Sequence, residues 1–238
     1  MKQKHILIIS ILLSLSSCVK TGYTKIFEKV YYHYSYGEGG YKFFDFGADA
    51  SSFKQDSWYE EFGTDCNYAY FRAKRIKESD GPSFKILDYW YQKDKNHVYY
   101  NQNIIEGADP LTFSSPNTDY DNNMQSSYAE DKNDFYYKDK SLHVVNKKGF
   151  KQFFYGFDQL WGIDGNHYYY QEKRCNIADP KSFIILDGIY AKDKLKVYYK
   201  NTILEGADAS SFKTTSIFKG EDKYSKYNMG KKTFNKTQ

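Results

Sequence analysis

The sequence predicts an all-β protein built as a tandem array of about five to six β-hairpin repeats, solenoid or propeller-like, with one short helical turn per repeat. Three observations carry this. Aromatic residues make up 20% of the 238-residue chain, with 26 Tyr and 18 Phe, types that favour strands. A gapless pattern of turn and aromatic residues recurs five times. Few segments carry an apolar stripe at helical spacing.

The recurrence is anchored on Asp65, Asp94, Asp131, Asp164 and Asp193, which lie 29, 37, 33 and 29 residues apart, so insertions fall between units. Three residues before each anchor stands an aromatic: Phe62, Tyr91, Tyr128, Trp161 and Tyr190. Two residues after it four units have Asn67, Asn96, Asn133 and Asn166. Five after it there is always Tyr: Tyr70, Tyr99, Tyr136, Tyr169 and Tyr198. The next position holds Phe71, Tyr100, Tyr137, Tyr170 and Tyr199. Fifteen after it come Asp80, Asp109, Asn146, Asp179 and Asp208, and nineteen after it Phe84, Phe113, Phe150, Phe183 and Phe212. The earlier stretch Gly47 to Phe53 repeats only the tail of the pattern and reads as a degenerate first unit.

Each column has a physical task. In Trp90-Tyr91-Gln92-Lys93, Asp94-Lys95-Asn96-His97, Val98-Tyr99-Tyr100, an aromatic strand runs into a turn and a second strand leaves it. Asp and Asn suit that turn because their side chains bond their own backbone two residues on. In Ala108-Asp109-Pro110-Leu111-Thr112-Phe113, Asp109 is placed to cap a single helical turn with Pro110 at its first position. Ala178-Asp179-Pro180-Lys181-Ser182-Phe183 repeats the arrangement, and the Phe that follows is expected to plug the core. A unit of roughly 30 residues cannot bury its own aromatic face, so neighbours must stack. Both a solenoid of hairpins and a ring of small blades satisfy that requirement, and the sequence leaves the two open.

The strings Asp94-Lys95-Asn96-His97-Val98-Tyr99-Tyr100 and Asp193-Lys194-Leu195-Lys196-Val197-Tyr198-Tyr199, each followed by Glu-Gly-Ala-Asp, resemble the DKNYY family of bacterial repeat proteins. The match is close at 91–113 and 190–212, recognisable at 128–150 and 161–183, and weaker at 62–84, where the anchor is followed by Cys66. The resemblance implies a repeat unit and an exported, often lipid-bearing protein. It implies no reaction.

The N-terminus reads as an export signal: basic Lys2 and Lys4, an apolar run Ile6 to Leu13, then Leu15-Ser16-Ser17-Cys18. That run is shorter than the roughly 20 residues needed to span a bilayer. The last four residues resemble a lipobox, which implies a diacylglycerol on Cys18 and a bacterial cell-envelope location outside the cytoplasm; the alternative is an ordinary signal peptide that ends near a cysteine. The expected division is 1–17 signal peptide, 18–36 tether, 37–215 repeat array and 216–238 C-terminal tail. Loss of Lys2 and Lys4 lowers the formal charge from +4 to +2, which gives no case for nucleic acid.

Chemistry is sparse. Asp94, Asn96, Glu106 and Asp109, echoed by Asp193, Glu205 and Asp208, offer oxygen ligands, but their spacing lacks the alternation of a calcium loop and each has a turn or cap task. No metal and no cofactor is expected. Cys66 and Cys175 occupy different repeat positions without an evident His partner, and the Gly-x-Ser-x-Gly elbow is absent. No catalytic residue is expected. The expected function is a non-catalytic interaction or scaffold module at the envelope with a protein partner. The alternative is glycan binding by exposed Tyr rows with Trp58, Trp90 and Trp161.

Overall fold

A computed structural model describes residues 21–36, 40–115, 128–154 and 160–235. Cys18 and the signal segment 1–17 lie outside the described residues. Chain contacts divide the protein into two compact units, 1–97 with 101–103 and 98–100 with 104–238. Among the described residues every strand pairing is antiparallel, and the strands form seven small sheets in which chain neighbours pair. No α-helix occurs among the described residues.

The first unit opens with a three-stranded meander, Gly22–Ile26, Lys29–Tyr36 and Gly40–Asp45. Its pairing includes Tyr23 with Tyr32 and Tyr32 with Phe44. A four-stranded sheet follows, Lys54–Gln55, Phe62–Thr64, Ala69–Phe71 and Lys74–Arg75. The middle pair is the predicted hairpin. In five sheets two outer strands extend the hairpin into a four-stranded meander, and that meander is the true repeat; the described sheet around Asp131 has three strands, Ala129–Glu130, Phe135–Tyr137 and Lys140–Ser141. The last turn of this sheet has two residues, Arg72 and Ala73, with φ of 47° and 65° between paired Phe71 and Lys74. Positive φ at both central positions is the turn geometry that matches strand twist.

In the second unit the same meander recurs. Ile184–Ile185, Tyr190–Lys192, Val197–Tyr199 and Thr202–Ile203 form one copy. Lys213–Ser216, Lys219–Glu221, Ser225–Asn228 and Lys231–Asn235 form another. Short 3-10 turns at Gly81–Ser83, Lys147–Gly149 and Pro180–Ser182 stand where helical turns are expected. At 109–113 and 208–212 the same bend is closed by Phe113 and Phe212 amides donating to the Asp109 and Asp208 carbonyls, at 2.9 and 3.0 Å.

Two boundaries differ from expectation. The segment 18–36, expected as a tether, contains two strands, with Val30 and Tyr32 buried in the first unit's core. The segment 216–238, expected as a tail, contains most of a full meander with Tyr227 buried. In both cases alternation of bulky and polar residues specifies strands where the anchor pattern is weak or missing. Aromatic rings dominate the cores by size, with Tyr99, Tyr136, Tyr169, Tyr198, Trp161, Phe113 and Phe212 all at most 2% exposed, and Val98, Ile189 and Val197 fill between them.

Candidate ligand-binding cleft

The repeated polar residues are occupied by their own fold. Asp193 is buried. Its Oδ1 accepts the Leu195 and Lys196 amides at 2.7 and 2.6 Å, closing the turn. Its Oδ2 accepts the Tyr198 hydroxyl at 2.7 Å and the Asp179 amide at 2.8 Å. Asp65, Asp131 and Asp222 do the same, taking the hydroxyls of Tyr70, Tyr136 and Tyr227 and the amides of Asp49, Asp109 and Asp208. Asp94 accepts the Asn96, His97 and Asp80 amides. Burial opposes ionisation of Asp65, Asp193 and Asp222. The donated hydrogen bonds outweigh it and hold all three below the ordinary carboxylate value.

A second layer surrounds each anchor. Ser182 donates to Asp179 at 2.6 Å and accepts the Lys194 amide at 3.0 Å, while Lys194 Nζ reaches Asp179 at 3.1 Å. Ser83, Thr112 and Ser211 accept the amides of Lys95, Lys132 and Lys223 in the same way. The Asp-Lys pair of the repeat is therefore a clamp between the cap of one meander and the turn of the next. Phe212 lies against Gly220, where an added Cβ would fall 2.4 Å from its ring. Phe183 packs with Ala191, Trp161 and Tyr198. Tyr100, Tyr170 and Tyr199 follow the buried Tyr column; Tyr170 packs on Trp161 at 5.0 Å and Tyr199 on Tyr190 at 5.1 Å. Among the described residues no cluster of three or more His, Cys, Asp or Glu is arranged to hold a metal.

Asp164 keeps the Oδ2 half of this scheme, accepting the Tyr169 hydroxyl and the Asn146 amide, and departs from it at Oδ1. Gly165 takes φ of 67°, Asp164 pairs directly with His167 in the ladder, and Oδ1 meets the His167 ring Nδ1 at 2.6 Å. His167, Arg174 and Cys175 line one cleft of about 450 Å³, so Cys175 does have a histidine in its surroundings. Burial pushes its thiol up to about 12, which keeps it protonated and unreactive at neutral pH. Cys66 and Cys175 are both free.

The larger cleft, about 600 Å³, belongs to the first unit. Its wall is aromatic: Tyr32 and Tyr34 share one face of Lys29–Tyr36, and Phe44 stands opposite Tyr32. The Tyr34 and Phe44 rings are 6.0 Å apart and only 15° from parallel, and Phe44 is 44% exposed. The rim is charged. Asp45 pairs with Lys29, and Glu61 accepts Arg72 Nε at 2.5 Å and the Tyr89 hydroxyl at 2.8 Å. Tyr23 braces the same corner, donating to the Glu61 carbonyl at 2.9 Å and accepting the Ala73 amide at 3.3 Å. Lys74 completes the rim. Glu61 stands at the position where later units have Trp90, Ser127, Leu160, Ile189 and Phe218. A charge at a repeat position that is uncharged in every later unit was the available sequence signal for this site.

The aromatics expected to be exposed are divided by the structure. Trp161 is fully buried, with Nε1 donating to the Gly188 carbonyl at 2.7 Å, and the Tyr column is core; Trp58 is 75% exposed. No curated protein and no solved structure matches the chain. The family model of the DKNYY family matches residues 62–115 and 91–234, and the matched stretches carry the anchor-and-tyrosine clamp described above. The chain belongs to the DKNYY family.

Proposed function

We propose that this protein is a non-catalytic binding module tethered to the bacterial envelope by a diacylglycerol on Cys18. The tether rests on the Leu15-Ser16-Ser17-Cys18 string after a short apolar run. The binding role rests on one observation: the repeat consumes its own carboxylates and hydroxyls, while Glu61, Arg72 and Phe44, which the repeat does not require, converge on a cleft with an aromatic wall. Partly exposed aromatic area beside a few oriented polar groups is the usual make-up of a ligand site.

Two measurements test the reading. Full-length protein expressed with an alkyne fatty acid should become labelled and sediment with membranes, and Cys18→Ser should lose both; labelling that survives the substitution removes the tether. A photo-crosslinking residue placed at Lys74 should capture an envelope component, while the same residue at Trp58 should not. Equal capture, or none, from both positions removes the cleft as the binding site.

A further inference from the structure

We infer that the 600 Å³ cleft takes a neutral saccharide, with the Tyr34 and Phe44 rings as its stacking platform. This deepens the reading of the chain as a binding module and rests on it. The volume lies within the range of small-molecule sites.

A pyranose presents two chemically different surfaces. One is a face of C–H groups, apolar in area and slightly positive, which suits the negative face of an aromatic ring. The other is an edge of hydroxyls, each both donor and acceptor. The cleft carries the counterpart of each. Tyr34 and Phe44 stack on one another at 15°, so the exposed part of the Phe44 ring is an aromatic surface backed by a second ring. The rim supplies two carboxylates as acceptors, Asp45 and Glu61, and two cations as donors, Arg72 and Lys74.

The charge balance selects against an ionic ligand. Two carboxylates and two cations line the cleft, and both carboxylates are already in ion pairs, Glu61 with Arg72 and Asp45 with Lys29. An anion drawn to Arg72 would have to displace Glu61, and a cation drawn to Glu61 would have to displace Arg72. A polyol can bridge such a pair by donating to the carboxylate and accepting from the guanidinium, with the ion pair left intact. Glu61 is also fixed before any ligand arrives, through Arg72 and the Tyr89 hydroxyl. Preorganised groups bind with less ordering cost.

The test uses the full-length chain in detergent with cellotetraose, chitotetraose, maltotetraose and, as the anionic comparison, tetragalacturonate. Saturation-transfer NMR and calorimetry read binding. At least one neutral tetrasaccharide should bind, with transfer strongest at its ring C–H protons, and Phe44→Ala should raise its Kd about tenfold or more, equivalent to ~1.4 kcal/mol. Phe44 is 44% exposed, so its removal should lower the melting temperature by only a few degrees and leave the fold intact. Trp58→Ala should change neither quantity. Absence of binding by all three neutral sugars at about 10 mM, a weak-affinity ceiling, overturns the inference. So does tighter binding of tetragalacturonate, or neutral binding indifferent to Phe44→Ala. If no saccharide binds while the crosslinker at Lys74 still captures a component that Phe44→Ala abolishes, the saccharide inference fails and the binding-module reading survives. If that capture is also indifferent to Phe44→Ala, both fall.

Discussion

The Tyr198 hydroxyl donates to Asp193 Oδ2 at 2.7 Å and accepts the Ala178 amide at 2.8 Å. One phenol thus links the turn of its own hairpin to the cap of the preceding meander, and Asp193 makes a parallel link through the Asp179 amide. The Asp-Lys turn and the first Tyr of the family string are two halves of this joint. The phenolic O–H is buried with its partner, and burial together with the Asp193 carboxylate pushes its pKa up. In a low-dielectric surround, a fully satisfied network of this kind specifies one geometry and penalises every other.

The joint ranks its members unequally. Tyr198→Phe removes a donor to a charged acceptor and strands the Ala178 amide, so it should cost about 1.5–3 kcal/mol. Lys194→Ala breaks an ion pair whose lysine side chain is 68% exposed, and should cost under about 1 kcal/mol. Urea unfolding of the two variants measures the difference. Equal losses would mean that the lysine, not the tyrosine, holds the clamp.

Stability should fall at both ends of the pH scale. Asp65, Asp164, Asp193 and Asp222 have folded pKa values below 3.8, because donated hydrogen bonds outweigh burial. Their contribution is complete above the unfolded value and is lost as pH drops through the lowered folded values. Tyr169 and Tyr227 are pushed up to about 12, first by burial and then by Asp164 and Asp222, so theirs is complete below 10.0 and lost as pH rises towards 12. Urea midpoints should form a plateau from roughly pH 5 to 9 with a decline on either side. Asp193→Asn should lower the plateau and shallow the acid limb; an acid limb of unchanged depth would exclude Asp193 as a contributor.

Much of this clamp was legible because the repeat forces each residue type into one column. Asp193, Tyr198 and Phe212 have periodic tasks, and five aligned copies make those tasks visible. The sixth copy was equally periodic at its centre: Asp222 lies 29 residues after Asp193 and Tyr227 five after Asp222. It was obscured by Lys219, which occupies the aromatic column, and by the lysines around it. The cleft was illegible for the opposite reason. Tyr34 and Phe44 meet through the register of two strands, which periodicity does not report, and Glu61 is visible only as a departure from the repeat.

Gly220 should resist enlargement. It has no positive φ to preserve; the constraint is Phe212, whose ring would lie 2.4 Å from an added Cβ. Gly162 faces Phe150 and Gly63 faces Phe53 in the same relation, at 2.5 and 2.3 Å. Ala191 occupies the equivalent position beside Phe183, so the ring can settle over a methyl group when its surroundings allow. Gly220→Ala should cost about 1–3 kcal/mol by overpacking, and Phe212→Leu in that background should recover part of the loss. Thermal unfolding decides the matter; a Gly220→Ala protein as stable as the parent would show that the ring moves freely.

Removal of 213–238 should uncover a core rather than trim a tail. The Tyr190 hydroxyl donates to the Phe218 carbonyl and accepts the Gly230 amide, both at 3.1 Å, and the Phe212 ring packs on Tyr227 at 5.8 Å. Tyr190 and Phe212 are at most 2% exposed in the intact chain. Each buried aromatic withdraws roughly 150–250 Å² from water, so the truncated protein should bind a hydrophobic dye, melt at lower temperature and associate. Hydrogen exchange tests the same point on the intact chain. Amides in Lys219–Glu221 and Ser225–Asn228 belong to the interior strands of a four-stranded sheet and should exchange slowly. Exchange at unstructured rates in those two strands would return residues 216–238 to the status of a tail.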